Sequence, residues 1–180
     1  PAIAVDEPTI TLNFIVNNLH LRDWHYLPQI FTESMTAGAG HPSDYYRPVM
    51  ALAFMGGYSL WELNPMGYHL LSIIFHAFNT LLLYVFIKDL AADWKAAFAT
   101  ALIFAVHPVQ TEAVASASAL GILLGMLFGM LALIAHQRSK MFWGLAAAAL
   151  ALLSKETMVV LPGLIFLSEL CFKDAGNPIY

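Results

Sequence analysis

Long uncharged runs alternate with short charged stretches through the later two thirds of the chain. Residues 65–87 give 23 uncharged positions, residues 96–110 give 15, and residues 113–137 give 25. A helix needs roughly 20 mainly apolar residues to cross a bilayer, because each residue adds about 1.5 Å. With the shorter runs at 141–154 and 157–172, the pattern predicts an all-α integral membrane protein, a polytopic bundle of about five membrane helices.

The first 63 residues follow a different pattern, in which polar and apolar positions are mixed. Residues 19–31 predict a short amphipathic helix or turn at the membrane interface. The run 49–61 is short and contains Gly56-Gly57, which predicts a shallow or broken helix. We therefore expect residues 1–63 to form an extracytoplasmic loop with interfacial and broken helices. Residues 64–180 are expected to form the transmembrane bundle, as parts of one longer domain.

Composition supports the membrane class and excludes others. The chain is 59% hydrophobic and 11% charged, with a mean hydropathy of +0.68. The net charge is -4 and the sequence contains no cluster of basic residues, so it does not indicate a nucleic-acid-binding surface. The single cysteine, Cys171, cannot form an intrachain disulfide, and no metal-binding cysteine spacing exists. The chain begins at Pro1, and we interpret it as a piece of a longer protein.

The distribution of positive charges predicts the membrane topology, because cytoplasmic loops are enriched in lysine and arginine. Placing residues 1–63, 107–112 and 155–156 on the non-cytoplasmic side leaves three cations outside: Arg22, Arg47 and Lys155. Five cations then lie inside: Lys88, Lys95, Arg138, Lys140 and Lys173. The sequence thus predicts a multi-pass protein whose polar elements converge on the non-cytoplasmic face.

The polar stretch 107–112 separates the two central apolar runs. Pro108 favours a turn there, because it lacks a backbone donor and disfavours helix at the preceding residue. A hairpin at the membrane surface would present His107, Gln110 and Glu112 together. Such a group is either a polar cap on a helical hairpin or a functional site, since ionisable groups against hydrocarbon are costly.

Two further patterns mark the apolar runs. His69 and His76, seven residues apart, lie near one helical stripe with other polar residues; they would hydrogen-bond neighbouring helices or ligate a tetrapyrrole or a metal. Small residues at four-residue spacing form a ridge that allows close packing of helices. The ridge contains Ala113, Ala117, Gly121, Gly125 and Gly129.

Several motifs together resemble one known family. Their order and spacing match from about residue 13 to 170. They are Tyr45-Tyr46-Arg47-Pro48, Leu60-Trp61-Glu62-Leu63-Asn64-Pro65-Met66-Gly67-Tyr68-His69-Leu70, His76 with Asn79, Val106-His107-Pro108-Val109-Gln110-Thr111-Glu112-Ala113-Val114, and Leu153-Ser154-Lys155-Glu156-Thr157. The chain resembles the membrane half of the transmembrane-and-tetratricopeptide-repeat protein family.

This resemblance implies a GT-C glycosyltransferase fold of the O-mannosyltransferase-like type. It also implies transfer of a sugar, mannose in the animal members, from a polyprenyl-phosphate carrier to protein hydroxyls on the non-cytoplasmic face. A helix before Pro1, further helices after Tyr180 and a repeat domain would be expected. No 34-residue helical repeat occurs within this chain.

The resemblance and the transfer chemistry assign candidate roles. Asp6-Glu7 is the nearest counterpart of the family's acidic pair, and a carboxylate there would act as the general base. Positive charge or oriented donors for the leaving phosphate would come from Arg47, His107 and Lys155. Glu112 and Glu156 would orient those groups. Each has a structural alternative as well: Arg47 would snorkel, and Glu112, Lys155 and Glu156 would cap helices.

One departure from the family pattern favours a competing function. The family usually carries a Gly-Arg-x-acidic motif where residues 116–122 here read Ser-Ala-Ser-Ala-Leu-Gly-Ile. The competing class is a catalytically silent GT-C-like scaffold, an accessory subunit of a larger membrane complex. A third class is a pigment- or haem-binding subunit through His69 or His76.

The expected partners and cofactors follow from the leading hypothesis. The partners are membrane lipid, a polyprenyl-phosphate sugar donor, and a protein acceptor or partner subunits packed on the small-residue ridge. No cofactor is expected, and a divalent metal is left open.

Overall fold

The computed structural model describes residues 16–40 and 44–172, with side chains to residue 170. All regular secondary structure in these ranges is helical, so the all-α prediction is confirmed. The α-helices are α1 (Leu27–Thr32), α2 (Pro48–Trp61), α3 (Pro65–Ala91), α4 (Trp94–Val106), α5 (Gln110–Ala115), α6 (Leu120–Gln137), α7 (Met141–Ser154) and α8 (Leu161–Phe172). Short 3₁₀-helices occupy Leu19–Leu21, Trp24–Tyr26, Ala37–Ala39, Ala117–Ala119 and Glu156–Val160.

Two of the described helices are long and apolar enough to cross a membrane. They are Pro65–Ala91, with a hydropathy of 2.1, and Ala117–Gln137, with a hydropathy of 2.3. Trp94–Val106 and Met141–Ser154 are apolar but shorter. At about 1.5 Å per residue they reach roughly 20 Å, against about 30 Å of hydrocarbon. The five-span count therefore stays a prediction.

Local capping explains the bounds of α3, which was predicted over 65–87. The Asn64 side chain accepts a hydrogen bond from the Met66 backbone N–H, and Pro65 occupies the first turn. The helix runs one turn further than predicted and ends at Ala91, followed by Ala92, whose φ of 53° is left-handed. The Asp93 side chain then caps α4 by accepting from the Lys95 N–H. A two-residue turn therefore joins α3 to α4.

Helices α3 and α6 run in the same direction and are tied together at two levels. Near the start of α6, Asn79 donates through Nδ2 to the Leu123 carbonyl at 2.9 Å. At its end, Arg138 donates through Nη2 to Asp89 Oδ2 at 2.6 Å. Helices α4 and α7 return in the opposite direction, since short turns connect each to its predecessor.

The bundle consequently has two distinct ends. We call the end with Pro48, Pro65 and Pro108 the proline end; it contains residues 107–109 and 155–156. We call the opposite end, with turns 92–93 and 138–140, the lysine end, after Lys88, Lys95 and Lys140. The three polar elements predicted to converge, within residues 1–63, 107–112 and 155–156, all have described residues at the proline end. Which side of a membrane this end faces stays a prediction.

The small-residue ridge packs inside this chain. A Cβ built on Gly121 would lie 2.8 Å from Met50 Sδ, and one on Gly125 would lie 3.1 Å from Met158 Cγ. Gly129 faces the Leu161 side chain at 3.3 Å. Helix α6 therefore packs against α2 at Gly121. It packs against the 156–160 segment and α8 at Gly125 and Gly129.

The ridge is not one straight helix, which differs from the prediction. Ser116 is extended, with φ of -92° and ψ of 122°, and it ends α5. Ala113 therefore belongs to α5, and Ala117 to the following 3₁₀-helix. Residues 113–115 and 120–137 thus belong to separate helices. The chain first crosses the proline end as α5 and then runs towards the lysine end as α6.

Helix α2 also differs from the prediction, because Gly56-Gly57 does not interrupt it. A Cβ on Gly57 would approach Tyr68 Cε1 to 2.9 Å, so this glycine permits close contact between α2 and α3. The buried face of α2 packs with the N-terminal segment and with α6 in one hydrophobic core. Its members include Leu21, Ile30, Met50, Phe54, Met55, Leu120 and Leu124.

Candidate functional site

An ion pair between residues 109 positions apart organises one part of the proline end. Arg47 donates through Nε to Glu156 Oε2 at 2.9 Å and through Nη2 to Oε1 at 2.5 Å. Arg47 directly precedes α2, and Glu156 opens the 3₁₀-helix after α7. The Arg47 side chain is 14% exposed and that of Glu156 is 57% exposed. The pair therefore fixes the start of α2 against the α7–α8 connection.

The charges of this cluster perturb one another. Hydrogen bonding by Arg47 lowers the pKa of Glu156 to about 2, so this carboxylate is ionised throughout the neutral range. Burial and the nearby charge of Arg47 lower the pKa of Lys155, while Glu156 partly opposes this effect. The cluster thus holds two cations and one fixed anion.

Arg47 also contacts the Tyr45 ring and lines a small cavity. Its guanidinium lies 4.8 Å from the centroid of the Tyr45 ring, within the range of a cation–π interaction. Arg47 also lines a small cavity of about 10 Å³ together with His20 and Gln29. That volume is about the minimum for one water molecule, so this cavity does not hold a larger ligand.

A much larger cleft, of about 470 Å³, lies at the same end between α3, the 107–109 turn and α5. Its lining residues are His69, Ile73, His76, Ala105, Val106, His107, Gln110, Thr111, Val114 and Ala115. The size falls in the range of small-molecule sites. Most of the wall surface is apolar, although half of the lining residues carry a polar side chain.

His107 is held in one orientation at this cleft. Its Nδ1 accepts a hydrogen bond from the Val109 backbone N–H at 3.2 Å, so the neutral ring carries its proton on Nε2. Thr111 donates to the Pro108 carbonyl at 2.6 Å, which closes the turn. The exposed His107 ring therefore offers an Nε2 donor, and the Gln110 amide lies beside it in the lining.

The polar stripe of α3 is directed partly into the protein, as predicted. Ser72 and Asn79 are buried. His76 Nε2 donates to the Ala105 carbonyl at 3.2 Å, and its ring packs 5.3 Å from that of Phe104. His76 Nδ1 is buried without a hydrogen-bond partner among the described residues, so the ring is held through Nε2 alone.

No group of three metal-ligating side chains comes together within residues 16–40 and 44–170. His69 is exposed and lines the cleft together with His76 and His107. The hypothesis of a haem or pigment ligand at His69 or His76 therefore stays a prediction.

The structure groups the candidate site residues in two sets. Arg47, Lys155 and Glu156 form the ion-pair cluster, whereas His107 lines the cleft. Glu112 is exposed on α5 beside the cleft and is not part of its lining. Asp6 and Glu7 lie outside the described residues, so their proposed role as general base stays a prediction.

Sequence reasoning did not associate His69 with His107. The two are 38 positions apart in sequence and line the same cleft because α3 and α4 form a hairpin. The sequence indicated only that His69 and His76, seven residues apart, lie on one face of α3. It did not indicate that His107 lines the same cleft.

Comparison with known proteins gives consistent relatives. "Protein O-mannosyl-transferase F38B6.6" of Caenorhabditis elegans is 37% identical over 134 residues, which cover 70% of this chain and 19% of the relative. Human "Protein O-mannosyl-transferase TMTC3" is 42% identical over 97 residues, 53% of this chain and 10% of the relative. "Protein O-mannosyl-transferase Tmtc1" of Drosophila melanogaster is 31% identical over 141 residues, 74% of this chain and 16% of the relative.

The chain thus spans less than a fifth of the length of these relatives. No protein-family model matches it, and no solved structure matches it. Identity of 31–42% over half to most of the chain nevertheless agrees with the motifs quoted above. On this basis the chain belongs to the TMTC family of protein O-mannosyltransferase-like proteins.

Proposed function

We propose that the chain is part of a multi-pass membrane glycosyltransferase that uses a polyprenyl-phosphate-linked sugar. Transfer to a protein hydroxyl would occur at the proline end, on the non-cytoplasmic face. The observation that carries the proposal is the cleft of about 470 Å³, which combines apolar walls with the His107 ring at this end. The names of the relatives, all protein O-mannosyl-transferases, support the reaction class.

The cleft suits an amphipathic donor. Ile73, Val106 and Val114 would contact the apolar chain of a lipid, because removing apolar surface from water is favourable. His107 and Gln110 would donate to phosphate oxygens near the mouth. Donors of this kind stabilise the charge that develops on a leaving phosphate.

The ion-pair cluster would provide the second electrostatic element. Arg47 uses two of its N–H groups to bind Glu156 and is thereby fixed in orientation. Its remaining N–H groups and the ammonium of Lys155 would interact with the anionic donor. Glu156 acts here as a positioning residue, since its carboxylate is already occupied by Arg47.

The reaction itself requires a base at this end. The acceptor oxygen attacks the anomeric carbon, the bond from that carbon to the phosphate oxygen breaks, and the acceptor proton passes to a carboxylate. The lipid phosphate leaves with the bonding electron pair. We propose Asp6 or Glu7 as the base, following the family resemblance.

One observation favours the competing scaffold function. Residues 116–122, where the family carries an arginine and an acid, contain only small and apolar residues here. The Ser116 and Ser118 hydroxyls lie 2.6 Å apart, and Gly121 is packed against Met50. This segment therefore has a packing role, as expected of a catalytically silent accessory subunit.

A transfer assay separates the two functions. Full-length protein in lipid nanodiscs, supplied with a polyprenyl-phosphate sugar and a hydroxyl-bearing acceptor peptide, is expected to transfer the sugar. Asp6→Asn with Glu7→Gln should reduce transfer by at least about a hundredfold, because a general base typically contributes that much. Donor binding should be retained.

Glu62→Gln is the matched control, because Glu62 is an exposed carboxylate at the same end. Unchanged transfer in the double variant would refute the base assignment. A folded wild-type protein that binds donor but transfers nothing would favour the scaffold.

A further inference from the structure

The two ends of the bundle differ in charge. At the lysine end, Lys88, Lys95, Arg138 and Lys140 are exposed, and the acids are Asp89, Asp93 and Glu169. At the proline end the described cations are Arg22, Arg47 and Lys155, and the acids are Asp23, Glu33, Asp44, Glu62, Glu112 and Glu156. The described part of the molecule is therefore basic at one end and acidic at the other.

Each acid of the lysine end lies close to a polar group of this chain. Asp89 accepts two hydrogen bonds from Arg138, at 3.0 and 2.6 Å. Asp93 caps α4, and Glu169 lies 3.2 Å from His136 Nε2. The ammonium groups of Lys88, Lys95 and Lys140 are therefore the cations most available to an external anion.

Exposed aromatic side chains accompany these lysines. Trp94 is 60% exposed and Trp143 is 67% exposed, and they lie in the first turns of α4 and α7. Phe142 is 74% exposed beside Trp143. Lys95 Nζ lies 5.9 Å from the centroid of the Trp94 ring. Tryptophan and lysine together are enriched where membrane helices meet the headgroup layer.

The Arg138–Asp89 ion pair joins the two turns that carry these residues. It connects the end of α3 to the residue that follows α6. The Trp94-Lys95 pair and the Lys140–Trp143 segment therefore project from one end of the bundle. We call this set, completed by Lys88, the lysine–tryptophan rim.

We propose that the lysine–tryptophan rim binds the headgroups of anionic phospholipids. The lysines would contact the lipid phosphate or carboxylate, while the indole rings lie at the headgroup level. A zwitterionic headgroup offers no net charge to the lysines, so the rim discriminates between lipid classes. This inference rests on the proposed embedding in a membrane and not on sugar transfer.

Lipid retention by the full-length protein tests the inference. Detergent-solubilised protein is incubated with phosphatidylserine or with phosphatidylcholine, and bound lipid is counted by native mass spectrometry. We expect a preference for phosphatidylserine that weakens as salt is raised. Each surface lysine strengthens binding to an anionic layer by about fivefold. Over three lysines this amounts to about a hundredfold at a bilayer surface, so the triple variant Lys88→Gln, Lys95→Gln, Lys140→Gln should lose its preference for phosphatidylserine.

The triple lysine-to-arginine variant is the matched control and should retain the preference, because it retains the charges. Thermal unfolding of both variants checks that they are folded. Equal retention of the two lipids by the wild type would overturn the inference, as would an unchanged preference in the glutamine variant. Binding of an acidic polypeptide without binding of phosphatidylserine would also overturn it and would identify a protein-docking surface. No sugar donor is needed, so failure here is distinct from failure of transfer.

Discussion

At the scale of single residues, Arg47 was predicted to bind phosphate, and the structure shows what holds it in place. Its partner Glu156 is 109 positions away, so no local pattern in the sequence predicts the contact. The family resemblance placed both residues in the candidate site but could not give their pairing. His107 is similar: its turn was predicted from Pro108, whereas the cleft beside it depends on the hairpin of α3 and α4.

The Arg47–Glu156 pair makes a pH-dependent contribution to stability. The folded-state pKa of Glu156 is lowered from 4.5 to about 2. A lowered pKa contributes stability above pH 4.5, and that contribution is lost as the pH falls towards 2. Glu156→Gln should therefore lower the free energy of unfolding by about 1 kcal/mol at pH 7, with a much smaller difference near pH 2.5. Thermal unfolding in detergent at both pH values measures this.

The control for this measurement is Glu62→Gln, which removes a carboxylate without a described ion-pair partner. It should leave stability nearly unchanged at both pH values. A Glu156→Gln effect of the same size at pH 2.5 and pH 7 would contradict the argument.

At the scale of elements, the first and last residues of a helix could be predicted where the residues that begin or end it are adjacent in sequence. Asn64-Pro65 gave the start of α3, and Lys140 and Lys155 flank α7 over the predicted range 141–154. The break at Ser116 was not predicted, because residues 113–119 contain neither proline nor glycine. Its cause is tertiary: the chain crosses the proline end as α5 and then enters the bundle as α6.

Close packing of α6 gives a prediction for Gly125. A leucine there would collide with Met158, since even a Cβ would lie 3.1 Å from Met158 Cγ. Gly125→Leu should lower the free energy of unfolding by about 1–3 kcal/mol, the usual range for overpacking. Chemical or thermal unfolding in detergent provides the measurement.

Leu124, the neighbour of Gly125 in sequence, is not a suitable control. It is 3% exposed and belongs to the core. Ile122 is 39% exposed, and Ile122→Leu should change stability by less than about 0.5 kcal/mol. Equal tolerance of both substitutions would mean that the Gly125 face does not pack against protein.

At the scale of the whole molecule, alternation of apolar runs predicted that 107–112 and 155–156 share one end. The structure agrees, because α3, α4, α6 and α7 alternate in direction. The number of spans could not be settled from run length, since the uncharged run 96–110 ends as a helix at Val106. The rest of the run forms the turn and the start of α5.

Topology is testable by labelling single cysteines introduced at Gln110 and Ser139, after Cys171→Ser. Gln110 lies at the proline end and Ser139 at the lysine end. The positive-charge bias predicts that Gln110→Cys reacts with an impermeant reagent from the non-cytoplasmic side and Ser139→Cys from the cytoplasmic side. Reaction of both positions from one side would disprove the arrangement.

Helix α5 has only six residues, and extended backbone lies close to it on both sides, at His107 and at Ser116. Pro108 lies in the turn before it, and Ser116 is extended after it. The wall of the cleft formed by α5 is therefore connected to the long helices through two short segments, at residues 107–109 and at Ser116. The opposite wall belongs to the 27-residue α3. Substitutions in these two segments would change the width of the cleft and leave the long helices in place. Relatives that differ only in these segments would therefore differ in the width of the cleft and share the same helical bundle.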